Sequence, residues 1–245
     1  DISPYDSGSY ASSTAYLTGT AVVKTCEALK EKILHKAAKY LETGVEELEF
    51  DGKRVYKLAC GEDGTKKEIS IKDLANRVQC ANEDALQVTQ SHSSPISPPP
   101  FMAGAAEVEV DLETGQVELI KFAAAVDCGT PLNENLARVQ TEGGLVQGIG
   151  MALYEDVSYS KDGKVHENSF MQYKVPSRLD VGRVQVEFES SFEPTGPFGA
   201  KSIGEVVINT PSPAIANAVY NAVGVRIREL PITAEKVFKG MNGLD

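Results

Sequence analysis

From Thr18 to Gly44 apolar residues return every three or four positions. Val22, Cys26, Leu29, Ile33 and Ala37 make one stripe with charged residues between them, a spacing that predicts a long amphipathic helix. Gly44 is its predicted stop. The period then shortens to two. Glu47–Ala59 alternates around Asp51-Gly52 and predicts a hairpin. Ser70, three residues before Asp73, resembles a capping box and predicts a short helix. Two β-rich runs flank Glu113-Thr114-Gly115 and predict a second hairpin; Val157–Phe170 around Asp162-Gly163 predicts a third. Asn133–Val157 reads as helical, although Gly143, Gly144, Gly148 and Gly150 interrupt it. Each glycine costs a helix interior roughly 1 kcal/mol, so this cluster needs a packing or ligand reason. Arg183–Ser190 alternates as a strand, and Thr210–Val223 is a helix with Pro213 near its first turn. Leu230–Met241 reads as a strand-like piece followed by a Thr-capped helix.

Hairpins dominate the strand connections, and no regular βαβ rhythm is visible. That argues an α+β fold rather than a doubly wound parallel sheet. The Ser/Pro-rich stretch Ser91–Pro100 is the best boundary, dividing the chain into α+β subdomains at 1–95 and 96–245. A long surface loop inside one domain is the competing reading. There is no internal repeat. The glycines form neither GxGxxG after a strand nor GxxxxGK[ST], so nucleotide binding of those kinds has no support.

Composition narrows the function classes. The 245 residues are 42% hydrophobic and 24% charged, which suits one large domain or two small ones. A net charge of −11 repels phosphate backbones and argues against a nucleic-acid partner. No run of about 18 apolar residues is present to span a membrane. The chain starts at Asp1 with no visible secretory leader, and so reads as a processed, cut or engineered piece. Cys26, Cys60, Cys80 and Cys128 contain no CxxC pair and read as free thiols of a reducing cytoplasm. His35, His92 and His166 are far apart, and no protein metal-ligand set is predicted.

Three segments concentrate small residues around a few polar groups: Gly8–Thr14, Asp127–Asn133 with Glu142–Gly150, and Gly196–Glu205. Small residues bare backbone N–H groups that can cradle an anionic ligand. Gln147 carries a donor and an acceptor in one amide. Glu205 follows a glycine just before a helical pattern. It is either a helix-start acid favoured by the macrodipole or a catalytic base.

The stretches EGGLVQGIGMALYE, YKVPS, GAKSIGE and LPITAEKV resemble the molybdenum hydroxylases, the xanthine oxidase family. The likeness runs in order from GSYASST to LPIT, nearly the whole chain, and corresponds to the C-terminal part of the molybdopterin-binding subunit. It implies hydroxylation of an electron-poor carbon with water as oxygen source, in a purine- or nicotinate-like heterocycle. Aldehyde or carbon monoxide oxidation, or a non-catalytic scaffold that keeps the fold, are the alternatives. It further implies that Glu205 deprotonates a molybdenum-bound hydroxide, that hydride passes to a sulfido ligand, and that electrons leave through iron–sulfur clusters. The cofactor would be molybdopterin in its cytosine dinucleotide form, held through its dithiolene. Iron–sulfur clusters and FAD would sit on partners, and an N-terminal molybdopterin-binding half would complete the site.

By the same resemblance Gln147 contacts the pterin. Ala11, Ser12, Ser13 and Thr14 line the cofactor, with Ala11 nearest the substrate. Asp127, Cys128 and Asn133 meet the nucleotide end, and Lys201, Ile203 and Gly204 flank the cofactor beside Glu205, with Gly204 as clearance for the metal. Two positions depart from the family pattern: Ser202 stands where many relatives have glycine, and Ser13 where many have arginine.

Overall fold

The computed structural model describes residues 5, 6, 8–59 and 66–244. Cys60 lies outside them. The chain forms two compact units. The larger holds the described residues up to Tyr16 together with those from Ile96 onward; the smaller is Leu17–Pro95. The N-terminal loop thus groups with the larger unit, whereas the 1–95 division placed it with the first. The reason is its bonding: Ser12 and Tyr16 hydrogen-bond to Glu205 and Thr195.

In the smaller unit the helix α1 (Gly19–Leu41) packs on an antiparallel sheet of β1 (Leu48–Phe50), β2 (Arg54–Lys57) and β3 (Glu68–Ser70), joined by α2 (Ile71–Cys80). Ile33, Ala37 and Leu41 carry the buried part of the α1 stripe and meet Leu48, Val55, Ile69, Leu74 and Val78. Val22 and Cys26, at the start of that stripe, stay exposed. Burial of the remainder is what makes this helix stable, since propensity alone leaves isolated helices marginal. Gly44 is not the stop. Glu42 takes the left-handed conformation (φ 51°) and donates its N–H to the Ala38 carbonyl, while Gly44 is extended. The early reversal brings Leu41 and Leu48 into one core. Ser70 does cap α2: its hydroxyl accepts from the Asp73 N–H at 3.0 Å.

The larger unit is built on a sheet ordered β4 (Phe101–Val110), β5 (Val117–Asp127), β6 (Arg183–Phe188). The β4–β5 hairpin turns where expected. The Asp111 carboxylate accepts from Glu113 N–H and Thr114 N–H at 2.8 and 3.0 Å, and Gly115 supplies φ +78°. β6 pairs parallel to β5, and the helix α3 (Glu134–Leu153) makes the crossover between them. No period in the sequence announces that pairing. The helix α4 (Pro211–Val223) packs on β4 and α3, and α5 (Ala234–Met241) closes the C-terminal end. Phe122, Val126, Leu145, Ile149, Ile215 and Val219 are fully buried in this core.

Two sequence expectations change form. The turn at Asp162-Gly163 is present, but it carries only one bridge, Tyr159 with Val165, and no strand ladder. Its flanks are exposed, with Phe170 85% accessible, and a two-stranded hairpin without a covered face is marginal in water. Leu230–Ile232 forms no strand; Ile232 instead donates its N–H to the Ala152 carbonyl at 2.7 Å and is buried. Thr233 then caps α5 by accepting from the Lys236 N–H.

Candidate functional site

Three of the interrupting glycines in α3 are explained by packing. A Cβ on Gly144 would collide with Val207 Cγ2, and one on Gly148 would meet Pro211 Cγ at 2.7 Å and the Ile208 carbonyl at 3.0 Å. These two glycines let α3 press against the chain that follows Glu205. A Cβ on Gly150 would meet the Glu155 side chain and Pro176. At Gly143 a Cβ would meet nothing within 4 Å. This glycine faces open space, on the wall of a cavity of about 500 Å³ lined also by Gln140, Gln147, Gly204, Glu205 and Asn209. Gln147 and Glu205, distant in sequence, therefore share one cavity.

Glu205 stands at the N-cap position of the short 3-10 turn Val206–Ile208, with α4 beginning only at Pro211, but does not cap the turn with its side chain. Its Oε2 instead accepts from Ser12 Oγ at 2.9 Å, and the residue is exposed. Ala11 and Ser12 both lie in the left-handed region, at φ 49° and 57°. Non-glycine residues held there store strain of roughly 1–3 kcal/mol each, a feature that clusters at functional sites. Gly204 takes a role the sequence did not suggest. The volume its Cβ would need is filled by Ser12, whose Oγ would lie 2.5 Å away. The missing side chain is clearance for the N-terminal loop as much as for any ligand. Gln140, which the sequence did not single out, donates its amide N–H to the Gly204 carbonyl at 3.4 Å.

A second cavity of about 450 Å³ is lined by Ser12, Thr14, Cys128, Asn133, Lys201, Ile203 and Gly204 among others. Ala11 joins Ser12 and Glu205 at a third, smaller one. Ser13 lines none of these; its hydroxyl donates to the Tyr10 carbonyl at 2.7 Å. The Asn133 side chain is engaged as the cap of α3, accepting from the Leu136 N–H at 3.1 Å. Cys128 is buried, and burial, with the neighbouring Asp127 charge, pushes its thiol pKa up, so it is not a ready thiolate.

Asp127 lines none of the three cavities. Its carboxylate accepts from Lys201 Nζ at 2.7 Å, Ser191 Oγ at 2.5 Å and Gly129 N–H at 2.9 Å. Burial opposes its ionisation, but Lys201, Ser191 and the Gly129 amide outweigh burial and hold the carboxyl below its ordinary range. Among the described residues no group of three or more His, Cys, Asp or Glu is placed to hold a metal ion. Nor is any helix long and apolar enough to cross a membrane.

The small-residue lining, the open face at Gly143 and the Gln147 amide leave space and one donor–acceptor pair on these cavity walls. Comparison with known proteins gives the family. Residues 1–182 match the family described as the molybdopterin cofactor-binding domain. The chain is 34% identical over 239 residues to the Escherichia coli K12 protein named "Probable hypoxanthine oxidase XdhD", covering 97% of this chain and 24% of that protein. It is 31% identical over 254 residues to the gamma subunit of the 6-hydroxypseudooxynicotine dehydrogenase complex of Paenarthrobacter nicotinovorans, covering 100% and 31%. Among solved structures, CO dehydrogenase from Oligotropha carboxidovorans superposes with a TM-score of 0.85 at 27% identity, over 99% of this chain and 31% of that one. The chain spans about a quarter to a third of the length of these relatives.

Proposed function

The chain belongs to the molybdopterin cofactor-binding domain family, and from that premise we propose that it is the base-bearing part of a molybdenum-dependent hydroxylase. The observation that carries this reading is the convergence of Glu205 and Gln147 on one cavity. When bound, a molybdopterin cofactor supplies the oxygen to be transferred and takes up two electrons from the substrate carbon. Everything else asked of this chain is positioning and proton transfer.

Glu205 accepts the proton. Ser12 donates to Oε2 and tethers the carboxylate at the wall of the cavity that Glu205 lines. Gln147, with one donor and one acceptor group, holds the cofactor's polar edge, and Gly143 leaves room for it. Ser12, Thr14, Cys128, Asn133, Ile203 and Gly204 line the neighbouring cavity, which would take the cytosine dinucleotide portion. Ala11 borders the substrate. An N-terminal molybdopterin-binding half and iron–sulfur and FAD partners complete a cytoplasmic complex, and an N-heterocycle is the substrate. The likeness to CO dehydrogenase makes carbon monoxide oxidation the second reading, separated by assaying both substrates.

The test is to express the chain with its N-terminal half and partners, measure molybdenum content, and compare wild type with Glu205→Gln. A general base contributes roughly 10²–10⁴-fold, so turnover should fall by that factor with molybdenum retained. A complex that takes up no molybdenum, or a variant that turns over like wild type, overturns the reading.

A further inference from the structure

We propose that Asp127 and Lys201 are positioning residues that brace the Glu205 loop against the end of β5, rather than contacts to the cofactor. The inference rests on Glu205 as the base for its catalytic consequence, but the brace itself is a property of this chain alone.

The loop before Glu205 contains little regular structure: a 3-10 turn at Pro197–Gly199 and then irregular backbone. It is held by a short zipper to the segment after β5. Lys201 donates its N–H to the Cys128 carbonyl at 2.8 Å, Thr130 donates to the Gly199 carbonyl at 2.8 Å, and Gly129 bridges Ala200. Over this zipper lies the ion pair. Lys201 Nζ meets Asp127 Oδ2 at 2.7 Å with only 11% and 20% of the two side chains accessible. The ammonium also sits 5.4 Å from the centre of the Phe101 ring on β4. The other donors to Asp127 are Ser191, which enters from the chain after β6, and Gly129. One carboxylate thus ties together the ends of two strands and the loop.

Asp127 lines none of the three cavities, its carboxylate is met by three donors and its charge is matched by Lys201. Lys201 borders the second cavity, but its ammonium is turned to Asp127. From Lys201 the constraint reaches the base in four residues: Ile203 packs on the main core, Gly204 is pressed against Ser12 and held by Gln140, and Glu205 follows. A largely buried ion pair such as this one contributes little net stability but is costly to break on one side, because the remaining charge is left unpaired. That asymmetry suits a device for fixing geometry. Misplacement of a catalytic group by about 1 Å can cost on the order of 10²-fold in rate.

The experiment uses the assembled complex with four versions of this chain: wild type, Lys201→Met, Lys201→Arg, and the double variant Asp127→Asn with Lys201→Met. Amide hydrogen exchange of the 196–206 segment, molybdenum content and steady-state kinetics are read for each. Positioning predicts that Lys201→Met speeds exchange in 196–206 at least tenfold and lowers kcat about 10–100-fold. KM and molybdenum content should stay within twofold of wild type. Lys201→Arg should recover most of the exchange protection, and the double variant should exchange more slowly than Lys201→Met, since no charge is stranded. Loss of molybdenum with unchanged exchange would overturn the proposal in favour of a cofactor contact. Unchanged exchange and unchanged kcat would overturn it outright. If the complex carries no molybdenum in any version, the hydroxylase reading fails, while the exchange measurement still decides the brace.

Discussion

Two glutamates, one in each unit, show how differently this chain uses the same side chain. Glu83 in the smaller unit accepts from Lys36 Nζ at 2.6 Å, Lys39 Nζ at 2.5 Å and Tyr40 Oη at 3.0 Å. Those three donors all project from α1 and engage both carboxylate oxygens. The hydrogen bonds from Lys36, Lys39 and Tyr40 hold its pKa down at about 2. Glu205 in the larger unit accepts from one hydroxyl, Ser12, and stands exposed on a cavity wall. A carboxylate surrounded by cations and donors is spent on holding two pieces of chain together. A carboxylate met by a single described hydroxyl on a cavity wall is not committed to such a tie. Asp127 resembles Glu83 in this respect although it lies near Glu205 in the fold, which is why its neighbourhood alone is a poor guide to its role.

The sharpest way to break the contrast is to remove each carboxylate in turn. Glu205→Gln should abolish nearly all turnover, as set out above, whereas Glu83→Gln in the same complex should leave kcat unchanged. A smaller effect is expected one step out from the base. Ser12→Ala removes the only hydroxyl described on Glu205, and should lower kcat about tenfold, the equivalent of one hydrogen bond to a charged group. If kcat is unaltered in that variant, the orienting role of Ser12 is wrong.

Smaller still, and on folding rather than turnover, is the contrast between adjacent glycines of α3. Gly144→Ala forces a methyl into Val207 and should cost about 1–3 kcal/mol, read as a lowered melting temperature. Gly143→Ala adds its methyl to open space and should gain up to about 1 kcal/mol of helix propensity. Equal melting temperatures for the two variants would contradict the packing account. The gentlest test is pH. The folded-state pKa of Glu83 lies below the ordinary carboxylate value of about 4.3. Its stabilisation is therefore complete above that value and is lost as pH falls toward about 2. Thermal melts of wild type should decline through this window, and those of Glu83→Gln should decline less steeply. Identical slopes would mean the lysine cluster does not stabilise the smaller unit.

Much of this was legible in the chain itself, and the reason is locality. The α1 stripe, the turns at Asp51-Gly52 and Asp111–Gln116, and the Ser70 and Thr233 caps each depend on residues within a few positions of one another. Their hydrogen bonds close inside the segment, so the segment announces them. The same holds for Glu205 and Gln147 as candidates, because each sits in a short motif dense in glycine. What the tertiary structure decided is who meets whom. The parallel pairing of β6 with β5, the clearance at Gly204 for Ser12, the use of Gly144 and Gly148 for helix contact, and the Asp127–Lys201 pair all join residues far apart in sequence. Periodicity measures which face of an element is apolar and says nothing about which distant element will cover it. A carboxylate likewise carries no mark in sequence of how many donors will surround it. Glu83 and Glu205 became distinguishable only when the packed chain had placed three donors around one and a single hydroxyl beside the other.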